Sequence, residues 1–339
     1  MRGVMSPKRI AIVGAGNMAR RRGRAFLDTG RAEICAVASR RLDMAKQCAA
    51  ELGCATYLDD YRLLGETSPD AILIEVPHAP QDDIAIWALE AGYDVLIGGS
   101  LASSIEAAEE IVALAASQEL IVEAGYQRRY DPSWSEARQL VQQGALGDPI
   151  MAVTVALWNP DPGSWYYDQK ASGGMPLTHM SYASMNAVRW IMGEPTTVFA
   201  MTNRKAQTLP ERVSEETCSV LVGFENGSFV SATASYAGPD GMSSPEPRIV
   251  CANGGIQFNP EESTGLVSMS VFLDGKSEVR CFDGQPSAFV RQAEQFLDAL
   301  NTRQTALNPP EDAVIDIRIA EAISISVREQ RLVSLLKTQ

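Results

Sequence analysis

Two short stretches of this chain have the residue types and spacing to do chemistry. The first is Gly14-Ala15-Gly16-Asn17-Met18-Ala19, set between an apolar run and an amphipathic one. This is the GxGxxA form of the dinucleotide fingerprint. Gly14 permits a tight turn, Gly16 lets a pyrophosphate approach the backbone, and small Ala19 lets helix and strand pack closely. Asn17 and Met18 then open a helix whose free N–H groups and dipole favour anions. About twenty residues on, an Asp or Glu would bind the adenosine ribose of NAD(H). This chain has Ser39-Arg40-Arg41 there instead. A hydroxyl followed by guanidinium groups suits a 2′-phosphate, so NADP(H) is expected in preference to NAD(H).

The second stretch is DVLIGGSLA, residues 94–102, a buried strand running into Gly98-Gly99-Ser100 before a helix. A turn at that place, beside a nucleotide loop, is where a reactive side chain belongs. Its two central positions carry none. A strand–turn–helix around Ser100 loosely imitates a nucleophile elbow, but the fifth position is Ala102 and no triad acid is identifiable. Close to the fingerprint lies the cationic run Arg20, Arg21, Arg22 and Arg24. Most of this run reads as solvated surface; on a helix Arg20 and Arg24 share one face, and Arg21 or Arg22 is the alternative candidate to reach an acidic substrate or a phosphate near the helix start.

These residues need a scaffold, and the first third of the chain supplies the pattern for one. RIAIV (9–13), EICAVA (33–38), AILIEV (71–76), DVLI (94–97) and LIVEA (120–124) read as strands apolar on both faces. Helical patterns at 42–53, 80–92 and 103–118 separate them. That alternation predicts right-handed crossovers and a doubly wound parallel sheet over residues 1–125. From 126 to 339 the rhythm changes. A helix (132–144) and a long aromatic loop lead to another helix (178–192). Strand-like runs follow at 196–202, 215–224, 228–237, 248–252, 265–272 and 278–282, and helical segments at 286–302 and 311–336 close the chain. Glu225-Asn226-Gly227 predicts a hairpin with a type I′ turn. The second domain is therefore expected to be α+β around a mostly antiparallel open sheet, a surface suited to dimerisation.

Composition narrows the partners. The 339 residues are 45% apolar, enough for two ordinary cores, and the formal charge is −13. An acidic surface repels a phosphate backbone, which argues against nucleic acid. No apolar run reaches membrane-spanning length, and IAIV after the basic start is too short for the apolar region of a signal peptide and leads straight into a glycine turn, so it is expected to be a first strand. The six cysteines show no CxxC pair or metal-ligand spacing and several fall in apolar runs, as thiols do in a reducing compartment. A cytoplasmic protein acting on a small molecule, with no metal, is expected.

The segments AIVGAGNMA, AVASRRLDMAKQCAAELG, VPHAPQDDIAIWALEAGYDVLI, GYQRRYDPSW, GALGDPI and RWIMGEP occur in the order and spacing of the glucose–fructose oxidoreductase and inositol dehydrogenase family, Gfo/Idh/MocA. The chain resembles that family along nearly its whole length. The resemblance implies a Rossmann domain followed by a domain whose open sheet makes homodimers or homotetramers. It also implies hydride transfer between nicotinamide and a sugar or polyol carbon. In the family a lysine of a Glu-Lys-Pro triplet handles the proton, helped by an Asp and a His four residues apart. Aligned on the motifs above, the lysine position is Gly99, the acid position His179 and the histidine position Ala183.

Without these three groups, oxidation of an alcohol loses its general base, an effect of about 10²–10⁴-fold. Reducing an electron-poor conjugated acceptor demands less. The biliverdin reductase branch of the family works that way, and GNMARRRGRAF and SWYYDQKASGGMPLTHMS are similar to segments of its cyanobacterial type. The resemblance further implies that the Pro77-His78 turn and Gly99 lie along the coenzyme. Both histidines of the chain, His78 and His179, align near the nicotinamide. His179 is the first choice as proton donor, with Tyr166 or Tyr167 in the aromatic loop as alternatives. Trp165 can stack on a planar substrate, Gly174 permits close backbone approach, and Arg129 or Lys170 can clamp a carboxylate. The leading expectation is an NADP(H)-dependent reductase of a small, conjugated substrate. A sugar or polyol oxidoreductase with a rewired proton relay, and a non-catalytic nucleotide sensor or accessory subunit, are the alternatives.

Overall fold

Apolar runs flanked by amphipathic stretches become strands and helices in alternation over the first third of the chain. The computed structural model describes residues 6–158, 163, 165, 168–172, 182–206, 215–239, 241–260 and 267–335, with only the backbone of 182 and 183. It divides into two compact units, Met1–Gln127 with Pro286–Ile317, and Arg128–Gln285 with Arg318–Gln339.

The first unit holds β1 (Lys8–Val13), α1 (Asn17–Asp28), β2 (Ala32–Ala38), α2 (Leu42–Glu51), β3 (Tyr57–Leu58), β4 (Ala71–Ile74), α3 (His78–Glu90), β5 (Asp94–Ile97), α4 (Ile105–Ser117) and β6 (Val122–Ala124). Its strands form a six-stranded sheet in the order β3-β2-β1-β4-β5-β6, parallel at every pair. The order reverses between β1 and β4. In sheets of this kind ligands bind outside the carboxyl ends of the strands at that reversal. The fingerprint follows β1, and Glu75 follows β4, so both stand at the switch point.

The helix at Ala288–Thr302 belongs to this first unit. A contiguous second domain over 126–339 does not describe that division. The reason is the helix's apolar stripe: Phe289, Ala293, Phe296, Leu297 and Leu300 are buried, and Phe296 meets Phe26 of α1 edge-on at 6.1 Å between ring centroids. Together they complete a core with Ile10, Ile12, Val37, Leu73 and Leu96.

The second unit carries α5 (Pro132–Gln142), β7 (Pro149–Leu157), a helical turn α6 (Gln169–Ser172), α7 (Tyr182–Met192), β8 (Pro195–Asn203), β9 (Thr217–Phe224), β10 (Phe229–Ser235), β11 (Arg248–Cys251), β12 (Gly254–Phe258), β13 (Ser268–Leu273), β14 (Lys276–Cys281) and β15 (Val333–Ser334). Among the described residues its sheet has nine strands in the order β14-β13-β12-β11-β7-β10-β9-β8-β15. Only β7 and β10 pair in parallel. The central β7 lies in a stretch that the sequence reading assigns to the approach to the aromatic loop. The β9–β10 hairpin forms as expected, but with another turn. Asn226 keeps a negative φ while Gly227 sits at +83° and donates to the Phe224 carbonyl at 3.0 Å. This is a type I turn closed by a glycine bulge rather than type I′.

One face of this sheet buries Ala152, Val222, Val230, Ala232, Ile249 and Ile256. The other presents Leu221, Phe229, Val250 and Phe272, each at least 39% exposed. Register places Phe229 beside Met151, Met151 beside Val250, Val250 beside Gly255 and Gly255 beside Phe272, one continuous row across five strands.

Candidate coenzyme site

The fingerprint loop is built by close backbone packing. Gly14 has φ +116°, and its N–H donates to the Ala38 carbonyl at 2.8 Å. A β-carbon on Gly14 would overlap the backbone carbonyl of Glu75. Gly16 is the opposite case: it is exposed, and a β-carbon there would meet nothing within 4 Å. Gly14 must be glycine to let the loop fold, whereas Gly16 leaves a clear approach for a ligand. Asn17 is exposed, Met18 half-buried and Ala19 buried against the sheet.

The helices that follow β1, β2 and β4 start at Gly16, Arg41 and Pro77 without any side-chain cap. Helix α4, α5 and the helix Ala288–Thr302 are capped instead by Ser104, Asp131 and Ser287. Three uncapped amino termini at the carboxyl edge of one parallel sheet leave orphan N–H groups for an anion. Beside them Ser39 Oγ accepts from Arg41 N–H at 3.4 Å, and Arg40 and Arg41 are exposed with no ion-pair partner among the described residues. The open cradle fits the diphosphate of a dinucleotide, with the two exposed guanidinium groups beside it.

The turn after β5 is filled rather than empty. Gly98, Gly99 and Ser100 are all buried. Gly99 has φ +89°, where an L side chain is strained. A β-carbon on Gly98 would overlap the carboxyl group of Glu75, and one on Gly125 would lie 2.7 Å from the Ile97 carbonyl oxygen and 2.8 Å from the Gly98 α-carbon. The Ser100 hydroxyl donates to the Ala102 carbonyl at 2.8 Å, and Gln81 Nε2 donates to the Ser100 carbonyl at 2.8 Å. A buried, already engaged Ser100 is a structural residue of the turn, not a nucleophile.

Glu75 escaped the sequence reading, which took AILIEV as a strand apolar on both faces. The signal was there: it is the single charge in that run, at the end of a buried strand. Its carboxylate is 7% exposed and pairs with Arg22 at 2.5 Å. Arg22, 3% exposed, also donates to the Gly125 carbonyl at 2.7 Å and to Gln292 Oε1. Gln292 Nε2 passes the chain on to Glu123 Oε1 at 2.6 Å. Burial pushes the Glu75 carboxyl up, while Arg22 pulls against it. Arg22 is therefore committed inside the first unit and does not reach a substrate. Arg21 lies over the Phe289 ring at 4.2 Å, and Arg20 pairs with Glu51 at 2.7 Å. Arg24 reaches the Glu51 carbonyl, so Arg20 and Arg24 do share a face.

Pro77 caps α3 and His78 is its first residue. Burial drives the imidazole down to about 4 from its ordinary 6.5, with a hydrogen bond to the Gln81 side chain pulling the other way. His78 is thus neutral at neutral pH, because its burial disfavours the charged form.

Family profiles decide the chain's kinship. The profile described as the oxidoreductase family, NAD-binding Rossmann fold, of GFO/IDH/MocA matches residues 8–126, and the GFO/IDH/MocA C-terminal domain matches 134–257. The chain belongs to the Gfo/Idh/MocA oxidoreductase family. Similar relatives include Inositol 2-dehydrogenase 4 of Saccharopolyspora erythraea, 26% identical over 64% of this chain and 66% of that protein. Another is the scyllo-inositol 2-dehydrogenase (NAD(+)) of Bacillus subtilis, 22% identical over 84% and 83%. The matches to the inositol dehydrogenases 1 and 3 of Saccharopolyspora erythraea span about half of those proteins, 54% and 47%. Among solved structures, the aldose-aldose oxidoreductase of Caulobacter crescentus shares 24% identity with a TM-score of 0.86 over 97% of this chain and 100% of its own. Levoglucosan dehydrogenase in complex with NADH shares 18% with a TM-score of 0.87 over 98% and 100%. Both likenesses are of fold.

In this Gfo/Idh/MocA chain the residues expected on the nucleotide side, Gly14 to Ala19, Ser39 to Arg41, Pro77, His78 and Gly99, all lie in the first unit. Of the substrate-side residues, His179, Tyr166, Tyr167 and Gly174 lie outside the described residues, as does the Ala183 side chain. Trp165 is half-buried and Lys170 is exposed on α6, which Asp168 caps by accepting from the Lys170 N–H at 2.9 Å. Arg129 is 2% exposed with its guanidinium over the Trp190 ring at 5.5 Å, a packing position within the second unit.

Proposed function

We propose that this protein is an NADP(H)-dependent oxidoreductase working as a reductase of a small organic acceptor. One observation carries the reading. The dinucleotide loop is intact, yet the turn aligned with the family's Glu-Lys-Pro triplet has a left-handed Gly99 in the lysine position, with Glu75 filling the space above Gly98. A lysine grafted there would be strained, so alcohol oxidation through that group is not this chain's chemistry. When bound, NADPH supplies the hydride. The residues do the rest: the 14–19 loop and the α1 amino terminus hold the diphosphate, and Arg40 and Arg41 take the 2′-phosphate. His179, Tyr166 or Tyr167 gives the proton, while Trp165, Lys170 and Gly174 belong to the acceptor side; Arg129, buried against Trp190, is not among them. A conjugated, planar acceptor of the linear tetrapyrrole kind suits a site without a strong base, since hydride addition needs no prior deprotonation.

The test is turnover of NADPH and NADH by purified protein with enones, a linear tetrapyrrole, keto-sugars and inosose-type ketones. Consumption with conjugated acceptors and preference for NADPH support the reading. Turnover confined to keto-sugars and polyols favours a sugar or polyol dehydrogenase with a rewired relay, the reading that the names of the relatives support. Tight NADPH binding without turnover on any acceptor would make the chain a sensor or accessory subunit.

The exposed row of Phe229, Val250 and Phe272 supports assembly into a homodimer or homotetramer through the second sheet. Six unpaired thiols support a reducing, cytoplasmic setting. No helix among the described residues is long and apolar enough to cross a membrane.

A further inference from the structure

The residue that takes over the turn after β5 comes from a different strand. Glu75 leaves β4 beside the fingerprint loop, its backbone carbonyl against Gly14 and its carboxylate against Gly98. A single residue therefore touches both the nucleotide loop and the turn. Arg22 holds that carboxylate from α1, at 2.5 Å, and holds the Gly125 carbonyl at 2.7 Å, while the Gly125 N–H donates to the Gly99 carbonyl at 3.1 Å. The chain from Glu75 through Arg22 and Gly125 to Gly99 closes on the turn from both sides.

We infer that Glu75, anchored by Arg22, is the positioning residue of the 98–100 turn: its carboxylate occupies the volume a side chain at position 98 would need and so sets the height of the turn's backbone at the coenzyme's reactive end. Residues 75 and 98 are then one steric unit, a carboxylate supplied from the neighbouring strand with a glycine opposite it. Several features agree. Gly98 has no φ that demands glycine, so its lack of a side chain answers to the space alone. A charge is costly inside a protein unless paired, and this one is paired on its buried oxygen by a guanidinium that has further acceptors in Gly125 and Gln292. Such a network holds geometry better than it adds stability. The functional part of this inference rests on the coenzyme reading above; the steric part does not.

A two-position cycle tests it, scored by thermal unfolding and by the emission spectrum of bound NADPH, which reports the surroundings of the nicotinamide ring. Gly98→Ala alone drives a methyl into the carboxylate. It is expected to lower the midpoint by at least about 3 °C and to shift the bound emission, with the NADPH dissociation constant changed less than about threefold because the diphosphate site is untouched. Glu75→Ala itself lowers the midpoint by leaving Arg22 unpaired, so the coupling is read against it: Glu75→Ala/Gly98→Ala is expected to be no less stable than Glu75→Ala and to regain the emission, and Glu75→Ala/Gly98→Glu, which moves the carboxylate across, to regain the emission as well. If Glu75→Ala strips Arg22 of its partner and the chain fails to fold, the same cycle is run with Arg22→Met added. Additive effects at 75 and 98, in midpoint and in emission, would overturn the inference, because residues in contact must couple. Coupling in the midpoint with no NADPH binding by the unaltered protein would instead refute the coenzyme reading and the positioning role, leaving only the steric pair.

Discussion

The α-carbon of Gly14 lies so close under the carbonyl of Glu75 that no β-carbon fits between them. The fingerprint glycine is thus held by the end of β4, and not merely by its own turn. Gly14→Ala combines that overlap with a φ of +116°. It should cost at least about 2 kcal/mol of stability and abolish measurable coenzyme affinity. Urea unfolding and calorimetric titration with NADPH read the two effects.

Arg40 and Arg41 are exposed beside an uncapped helix terminus. A charge-assisted bond to a phosphate is worth about 1.5–3 kcal/mol. Arg40→Ala/Arg41→Ala should therefore raise the NADPH dissociation constant about ten- to a hundredfold and leave NADH nearly unchanged. Equal losses for both coenzymes would mean the arginines face adenine or solvent and do not select the phosphate.

His78 makes stability depend on pH. Its folded value of about 4 lies below the ordinary 6.5, so between those two pH values the unfolded chain binds more protons than the folded one. Stability is then fully present above pH 6.5 and is lost as the pH falls towards 4. His78→Gln should flatten the pH dependence of the urea midpoint in that window. Taking the difference between the two proteins cancels the carboxyls, Glu75 among them.

The open sheet face offers a further test. Val250→Asp, alone or with Phe229→Asp, places charge in the middle of the exposed apolar row. Light scattering should register a fall in mass to that of the single chain, with the far-ultraviolet dichroism unchanged. A mass that does not move would remove this face from the assembly.

Much of the first unit was legible because its signals are local. DVLI at 94–97 is a strand at those very residues, and the fingerprint loop follows a strand and opens a helix as its spacing requires. The ends of most other elements differ by a few residues, as fraying termini do, but the helix expected over 311–336 stops at Glu329 and the chain then pairs Val333–Ser334 with β8 as a strand. What was not legible depends on contacts distant in sequence. Arg22 and Glu75 sit on separate elements and meet only because β1 and β4 are neighbours in the sheet. Arg22 therefore looked like part of a solvated cationic run. The Ala288–Thr302 helix carries an obvious apolar stripe, but a stripe does not say which unit it covers. β7 alternates as a strand should, yet it adjoins a loop whose aromatics drew attention as chemistry. In the hairpin, Asn-Gly predicts type I′, which needs a positive φ at both residues, and Asn226 keeps a negative one.

The helix Ala288–Thr302 has a consequence for how the polypeptide is made. Translation delivers the parallel sheet first, but Phe296, Leu297 and Gln292 emerge from the ribosome only after strands β7 to β14 of the second sheet. Until then Phe26 has no aromatic neighbour from that segment and Arg22 lacks one of its acceptors. The nascent nucleotide-binding half must wait, incomplete, until residues 288–302 are made, and a chain terminated before them would display an unfinished core to chaperones and proteases.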